Sequence, residues 1–283
     1  MKLIAEASSN HNGNLDRSME LVNMAAKAGC DAIKFQLFRV DELFAPEILR
    51  KSLAHRQRRK WELPEEFIPI LSAEAHRLGI EFGCTPFSLE SLDFVTPYVD
   101  FVKIASYELL WDDLLKSAAN TSRPVIISTG MATLSEVAHA VEVLRSANAV
   151  DLTVLHCVSE YPADPRNTNL AAIRTIRETL NVRAGWSDHS RDLGVVARAF
   201  HRWDAEVIEV HIDKDGTGYE ADSNHCWLPE DLHLLVRTIG GGPEFDGTGE
   251  KHPSEPEIDE RKWRADPYDG LRPHKSVRLT WEG

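Results

Sequence analysis

Lys2–Ala7 (KLIAEA), Asp31–Gln36 (DAIKFQ), Ile80–Cys84 (IEFGC) and Asp100–Ala105 (DFVKIA) open a series of short apolar runs whose reading decides the fold. The series continues through Val125–Ser128 (VIIS), Leu152–Val158 (LTVLHCV), Val182–Trp186 (VRAGW) and Glu206–Ile212 (EVIEVHI). Most are β-branched and almost continuously apolar, the pattern of parallel strands covered on both faces.

Helical patterns lie between these runs. In the first, Leu15, Met19, Val22, Ala25, Ala26 and Gly29 recur at spacings of three and four, with Asn14 placed to cap the start and Gly29 to end it. Comparable segments are 64–78, 89–97, 134–147, 169–180, 194–203 and 229–239. Pro124 and Gly79 stand at element ends, where a rigid or positive φ is wanted. Strands alternating with helices over about 240 residues predict an α/β chain folded as a (β/α)8 barrel, usually about 250 residues long. A doubly wound open sheet requires a glycine-rich turn after the first strand, and SSNHNG has a single glycine. The barrel is expected over 1–240, followed over 241–283 by an irregular C-terminal tail packed on the barrel or on a partner subunit.

The 283 residues carry 32 basic and 45 acidic side chains, a net charge of −13, and are 42% hydrophobic. These values suit a globular protein and argue against nucleic-acid or anionic-membrane partners, which require a basic surface. The N-terminal MKLIAEASSN is too short in apolar length for a signal peptide, and no run approaches the ~20 apolar residues of a membrane helix. The four cysteines, Cys30, Cys84, Cys157 and Cys226, form no CxxC pair and read as buried free thiols, so a cytoplasmic location is expected.

Function in such a barrel lies at the carboxyl ends of the strands, and polar residues cluster there. Glu6 closes the first strand, Lys34 and Gln36 the second, and Thr85 follows the third. Lys103, Ser106 and Glu108 mark the fourth, Ser128 the fifth, Ser159 and Tyr161 the sixth, Ser187 and His189 the seventh, and Glu209 and His211 the eighth. Pairs at i and i+2 share a face of a strand, so Lys34/Gln36, Ser187/His189 and Glu209/His211 each point one way. Single members have bland explanations: Ser128 or Thr85 could cap the next helix, and His156 could make a core hydrogen bond. Two lysines and several carboxylates buried together are hard to explain as structure alone. The lysines and hydroxyls suit a phosphate or carboxylate anion. His189 and His211, on adjacent strands, could share a divalent ion, with His11, His156 and His225 as rivals.

The strings IAEASSNHNG, DAIKFQ, GCTPFS, KIASYEL, STGMAT, LHCVSEYPA, GWSDHS and EVIEVHI, with a later Asp222, resemble in order the sialic acid synthase (N-acetylneuraminate synthase) family over about residues 3–232. The resemblance implies condensation of phosphoenolpyruvate with an aldose, an N-acylated amino sugar in its aldehyde form, to give a 2-keto-3-deoxy sugar acid and phosphate. It implies a divalent metal, Mn2+ or Mg2+, on His189 and His211. Phosphoenolpyruvate would contact Lys34, Thr85, Lys103, Ser106, Ser128, Ser159 and Ser187; the sugar would meet Gln36, Tyr161, Glu209 and Asp222. Glu6 or Glu108 would move protons, and the barrel would pair as a homodimer or higher. Family members usually continue into a small antifreeze-like domain, which this sequence is expected to lack. Where the family usually has GPDH, this chain has ADSNH within Gly216–His225. The competing readings are a Schiff-base aldolase using Lys34 or Lys103, and a catalytically weakened barrel acting as a binding or assembly partner.

Overall fold

The computed structural model describes residues 1–241 and 249–281. Residues 242–248, which hold part of the GGGP run of the expected tail, and 282–283 lie outside the described residues. The chain divides into two compact units, Met1–Gly240 and Gly241–Gly283.

In the first unit eight parallel strands close into a barrel: β1 (Lys2–Glu6), β2 (Ala32–Leu37), β3 (Glu81–Pro86), β4 (Phe101–Ile104), β5 (Val125–Ser128), β6 (Leu152–Cys157), β7 (Arg183–Asp188) and β8 (Val207–His211). Each pairs with its sequence neighbour, and β8 returns to β1 with His211 opposite Glu6. Outside run α1 (Leu15–Ala28), α2 (Phe67–Arg77), α3 (Leu89–Val95), α4 (Asp112–Asn120), α5 (Leu134–Ser146), α6 (Ala172–Leu180), α7 (Leu193–Trp203) and α8 (Pro229–Gly240). The (β/α)8 expectation therefore holds. Helix α4 is not among the helices expected from the sequence; β3 and β7 run two residues past the expected ends at Cys84 and Trp186, while β1, β4, β6 and β8 stop one residue before theirs. It also treated as connection the stretch between β2 and α2, which contains the helical turns Val40–Leu43, Pro46–Lys51 and Leu53–Gln57.

Local chemistry explains the boundaries. Asn14 accepts from the Arg17 N–H at the start of α1, and Gly29 closes the helix at φ 92°, a left-handed turn natural to glycine. Thr133 and Glu136 form a reciprocal capping box on α5.

Alternation along the strands divides the side chains into two cores. Leu3, Ala5, Ile33, Phe35, Phe82, Val102, Ile127, Val154, Ala184, Ile208 and Val210 face outward against the helices. Inside, Ile4, Ala32, Phe101, Ile126, Leu155 and Val207 plug the barrel below the reactive end. The Phe101 ring occupies the place where a residue other than glycine at 83 would put its Cβ, 2.2 Å from the ring carbon. The next inward layer, toward the carboxyl ends, is polar, and it forms the candidate site.

The second unit contains the helical turns Glu257–Glu260 and Lys275–Arg278. Buried Asp266 accepts from the N–H groups of Lys275 at 2.8 Å, at the start of the second turn, and of Tyr268 at 3.0 Å. Among the described residues no helix is long and apolar enough to cross a membrane.

Candidate active site

The inward positions at the tops of β1, β2, β3, β4, β7 and β8 bring Glu6, Lys34, Thr85, Lys103, Ser187 and Glu209 together, all nearly inaccessible to water. Lys34 Nζ pairs with Glu6, donates to Thr85 Oγ1 at 3.0 Å and lies 3.7 Å from Glu209 Oε2. Lys103 Nζ lies 3.7 Å from Glu209 Oε1, which accepts from Ser187 Oγ at 3.1 Å. Burial brings Lys34 down to about 8 against the pull of Glu209. Burial also opposes ionisation of Glu209, yet Lys103, Lys34 and His211 hold its carboxyl at about 2. Two buried carboxylates, Glu6 and Glu209, thus face two ammonium groups, and the hydroxyls of Thr85 and Ser187 add donors beside them.

A second group of donors borders it. Ser106 Oγ accepts from the Gly130 N–H at 2.9 Å, and a Cβ at Gly130 would come within 2.1 Å of Ser159 Oγ. Glycine at 130 is what lets these hydroxyls approach the backbone. Ser128 Oγ and Ser159 Oγ are buried and lack a hydrogen-bond partner among the described residues. Orphaned hydroxyls are rare in a folded interior, and here they lie in the part of the barrel that holds two ammonium groups.

The histidines form the adjoining wall. His189 and His211 rings lie 5.1 Å apart, and Tyr161 packs on His189 at 4.2 Å. Two imidazoles bound to one ion through nitrogens at ~2.1 Å have centroids roughly 5 Å apart. His189 Nδ1 donates to the Val158 carbonyl at 2.8 Å and His211 Nδ1 to Glu220 Oε2 at 2.9 Å. Both Nε2 atoms are thereby left as the lone-pair nitrogens, as in metal-ligating histidines oriented by an acceptor behind them. Burial, reinforced by His211, lowers His189 to about 3, so it stays neutral and able to ligate. The donor set fits a divalent ion.

Glu108, in the turn after β4, has a buried Oε2 without a partner among the described residues, and burial pushes its carboxyl up to about 7. Gln36 is half-buried on the face of Lys34, with its register partner Thr85 across on β3.

Asp222 does not join this group. It is exposed in the turn Ala221–Ser223, outside the contacts just described. The carboxylate that the loop after β8 sends inward is Glu220, which the sequence reading missed. Glu220 N–H is held by Asn10 Oδ1 at 2.9 Å, and Ser8 Oγ donates to its carboxylate. Ser8 itself takes φ 46°, with its N–H on Glu6 Oε1 at 2.6 Å. The loop's second contribution, His225–Cys226, was legible only as a rival histidine and a cysteine. Of the other rivals, His156 Nε2 lies 2.8 Å from the Thr168 carbonyl, while His11 is buried and lowered to about 4.

A closed (β/α)8 barrel with lysines, carboxylates, hydroxyls and imidazoles buried at the carboxyl ends of its strands has the architecture of an enzyme. The NeuB family pattern matches residues 21–251, and the chain belongs to that family of phosphoenolpyruvate-dependent synthases. It is 36% identical over 274 residues to the N,N'-diacetyllegionaminic acid synthase of Legionella pneumophila, covering 90% of this chain and 76% of that one. It is 30% identical over 259 residues to the pseudaminic acid synthase of Campylobacter jejuni, covering 87% and 75%. The crystal structure of the N-acetylneuraminic acid synthetase of Leptospira borgpetersenii superposes with a TM-score of 0.79 at 31% identity, covering 91% of this chain and 89% of that one.

Proposed function

We propose that this enzyme condenses phosphoenolpyruvate with an N-acylated amino sugar, in its open aldehyde form, to a nine-carbon 2-keto-3-deoxy acid and phosphate. The observation that carries the reading is the pair of buried ammonium groups, Lys34 and Lys103, beside the partnerless hydroxyls of Ser128 and Ser159. Lys34, Thr85, Lys103, Ser106, Ser128, Ser159 and Ser187 would hold the phosphate and carboxylate oxygens. Gln36 and Tyr161, at the rim, would meet the sugar. Glu209, bonded to Ser187 and facing both lysines, belongs with the anion cradle more than with the sugar.

His189 and His211 would hold a divalent ion, manganese or magnesium. When bound there it supplies Lewis acidity to the sugar carbonyl. Proton movement falls to Glu108. Glu6 is fixed as the partner of Lys34 and accepts the Ser8 N–H, whereas Glu108 is raised to about 7 and is half protonated near neutrality. In the reaction, C3 of phosphoenolpyruvate bonds to the aldehyde carbon, whose oxygen takes the Glu108 proton. Water adds at C2, its proton restores Glu108, and the tetrahedral adduct expels phosphate as the C2–O bond breaks. The enzyme would act in the cytoplasm as a homodimer or larger assembly.

Lys103→Ala tests the cradle: it should raise the KM for phosphoenolpyruvate at least tenfold and leave the KM for sugar within about threefold, as expected for loss of a charge-assisted contact. The opposite split would overturn the assignment. A Schiff-base aldolase is the second reading, favoured by the lowered Lys34 amine. Borohydride in the presence of a keto acid would inactivate such an enzyme and leave a condensing enzyme untouched.

A further inference from the structure

A second convergence of donors shares His211, with the His225 ring 4.6 Å from His211 and 6.0 Å from His189. Glu220 Oε2 stands 2.9 Å from His211 Nδ1, 3.5 Å from His225 Nε2 and 3.7 Å from Cys226 Sγ. Cys226 Sγ is 3.9 Å from His225 Nε2, and one donor atom from each of the four residues lies within 4.8 Å of all the others. Four donors around a tetrahedral ion, at ~2.0–2.3 Å each, are separated by roughly 3.3–3.8 Å.

The cluster is held in place by its surroundings. Trp227 N–H donates to the His211 carbonyl at 2.7 Å and Asp213 N–H to the Trp227 carbonyl at 3.0 Å, which clips His225–Cys226 alongside the end of β8. Asn10, fully buried, donates to the Ile212 carbonyl at 2.8 Å and to Cys226 Sγ at 3.3 Å, while its oxygen takes the Glu220 N–H. A Cβ at Gly218 would strike Asn10 Oδ1 at 2.2 Å, so the loop needs glycine there to pass. Among the described residues Glu220 lies within 4 Å of two imidazoles and makes no ion pair with a Lys or Arg. His225 and Cys226 are almost wholly buried. A carboxylate 18% accessible to solvent, with two imidazoles and a thiol that are buried, is a set of borderline and soft donors that supplies four ligands without an open position.

We propose that His211, Glu220, His225 and Cys226 form a closed divalent-metal site of the zinc class, separate from the substrate-facing seat on His189 and His211. With both sites filled, His211 would lose to solvent the Nδ1 proton it gives Glu220 and bridge as an imidazolate, Nε2 to one ion and Nδ1 to the other. Magnesium, which demands oxygen ligands, would be excluded from the closed site.

Cobalt(II) is a spectroscopic stand-in for zinc. Titrated into the chelator-stripped full chain, it should produce intense tetrahedral visible bands together with a near-ultraviolet thiolate-to-cobalt absorption. Cys226→Ser should lose the near-ultraviolet absorption and weaken binding at least tenfold. Glu220→Gln should weaken binding comparably while keeping that absorption, and His189→Ala should keep both spectrum and affinity. A weak octahedral spectrum indifferent to Cys226→Ser would overturn the site. Loss of the thiolate absorption in His189→Ala would overturn its separateness. Phosphate release from phosphoenolpyruvate is scored independently. Cobalt bands without phosphate release would support this site and sink the condensation reading; phosphate release without the bands would do the reverse.

Discussion

Glu6 and Glu108 are one side chain in two environments. Glu6 is locked to Lys34 and the Ser8 N–H, while Glu108 keeps a buried oxygen without a partner and is raised to about 7. A carboxyl raised in the fold binds its proton more tightly there than in the unfolded chain. Stability therefore falls as pH climbs from about 4.5 through about 7, and the full penalty persists above that. Glu108→Gln should remove the penalty, gaining on the order of 2–3 kcal/mol at pH 8 and little at pH 4, by urea unfolding at both pH values. If Glu108 donates a proton in turnover, the parent kcat should also fall above about pH 7, and the variant should show a slow rate without that limb. A parent profile flat from pH 6 to 9 would move the proton transfer elsewhere. Lys34, Lys103, His189 and His211 were legible as candidates because charged or imidazole groups stand in or just after strand runs at their carboxyl ends. Glu220 was not, since its place depends on a loop folding back onto Asn10, and sequence spacing says nothing about that. Asp222, two residues on, carries the same charge and turns outward.

At the scale of elements, the strands were legible because burial on both faces leaves continuous apolar runs. Helix α4 was harder to see. It begins DDLL with no side-chain cap at Trp111 and buries a narrow stripe of Leu114, Leu115, Ala118 and Ala119. Strand ends were misjudged where polar residues continue the ladder, as Ser187 and Asp188 do in β7. The barrel interior makes its own prediction. Gly83 on β3 faces the Phe101 ring of β4, which has no room to retreat inside a filled cylinder. Gly83→Ala should cost about 1–3 kcal/mol in denaturant unfolding at pH 7, as overpacking does. A loss below 0.5 kcal/mol would show that the ring can shift. Gly216→Ala is a different case: no atom lies within 4 Å of its added Cβ, and its cost would come from the backbone at φ 74° alone.

For the whole molecule, a net charge of −13 repels an anionic substrate at long range, so binding must come from the local cradle. Phosphoenolpyruvate at 100 times its Kd should stabilise the native enzyme by about 2.7 kcal/mol, seen as a rise in Tm. The Lys103→Ala variant, binding at least tenfold more weakly, should gain about 1.4 kcal/mol or less at the same concentration, whatever its own Tm. Equal rises in both would place the anion elsewhere. The barrel and its reactive end were readable from periodicity and polar interruptions, since both are properties of single strands. The way the β8 loop closes over His211 was not, because it depends on contacts between residues some 200 positions apart, such as Asn10 with Glu220.

The central claim, that the buried cradle and imidazole wall join phosphoenolpyruvate to an aldehyde sugar, is tested most directly by product stoichiometry. Phosphoenolpyruvate would be incubated with a panel of N-acylated amino sugars and plain aldoses, with manganese and after chelation, while phosphate and 2-keto sugar acid are measured together. One phosphate per keto acid, formed only with an N-acylated amino sugar and a divalent metal present, is the expected result. Phosphate released at the same rate without any sugar, or no keto acid with any member of the panel, would contradict it.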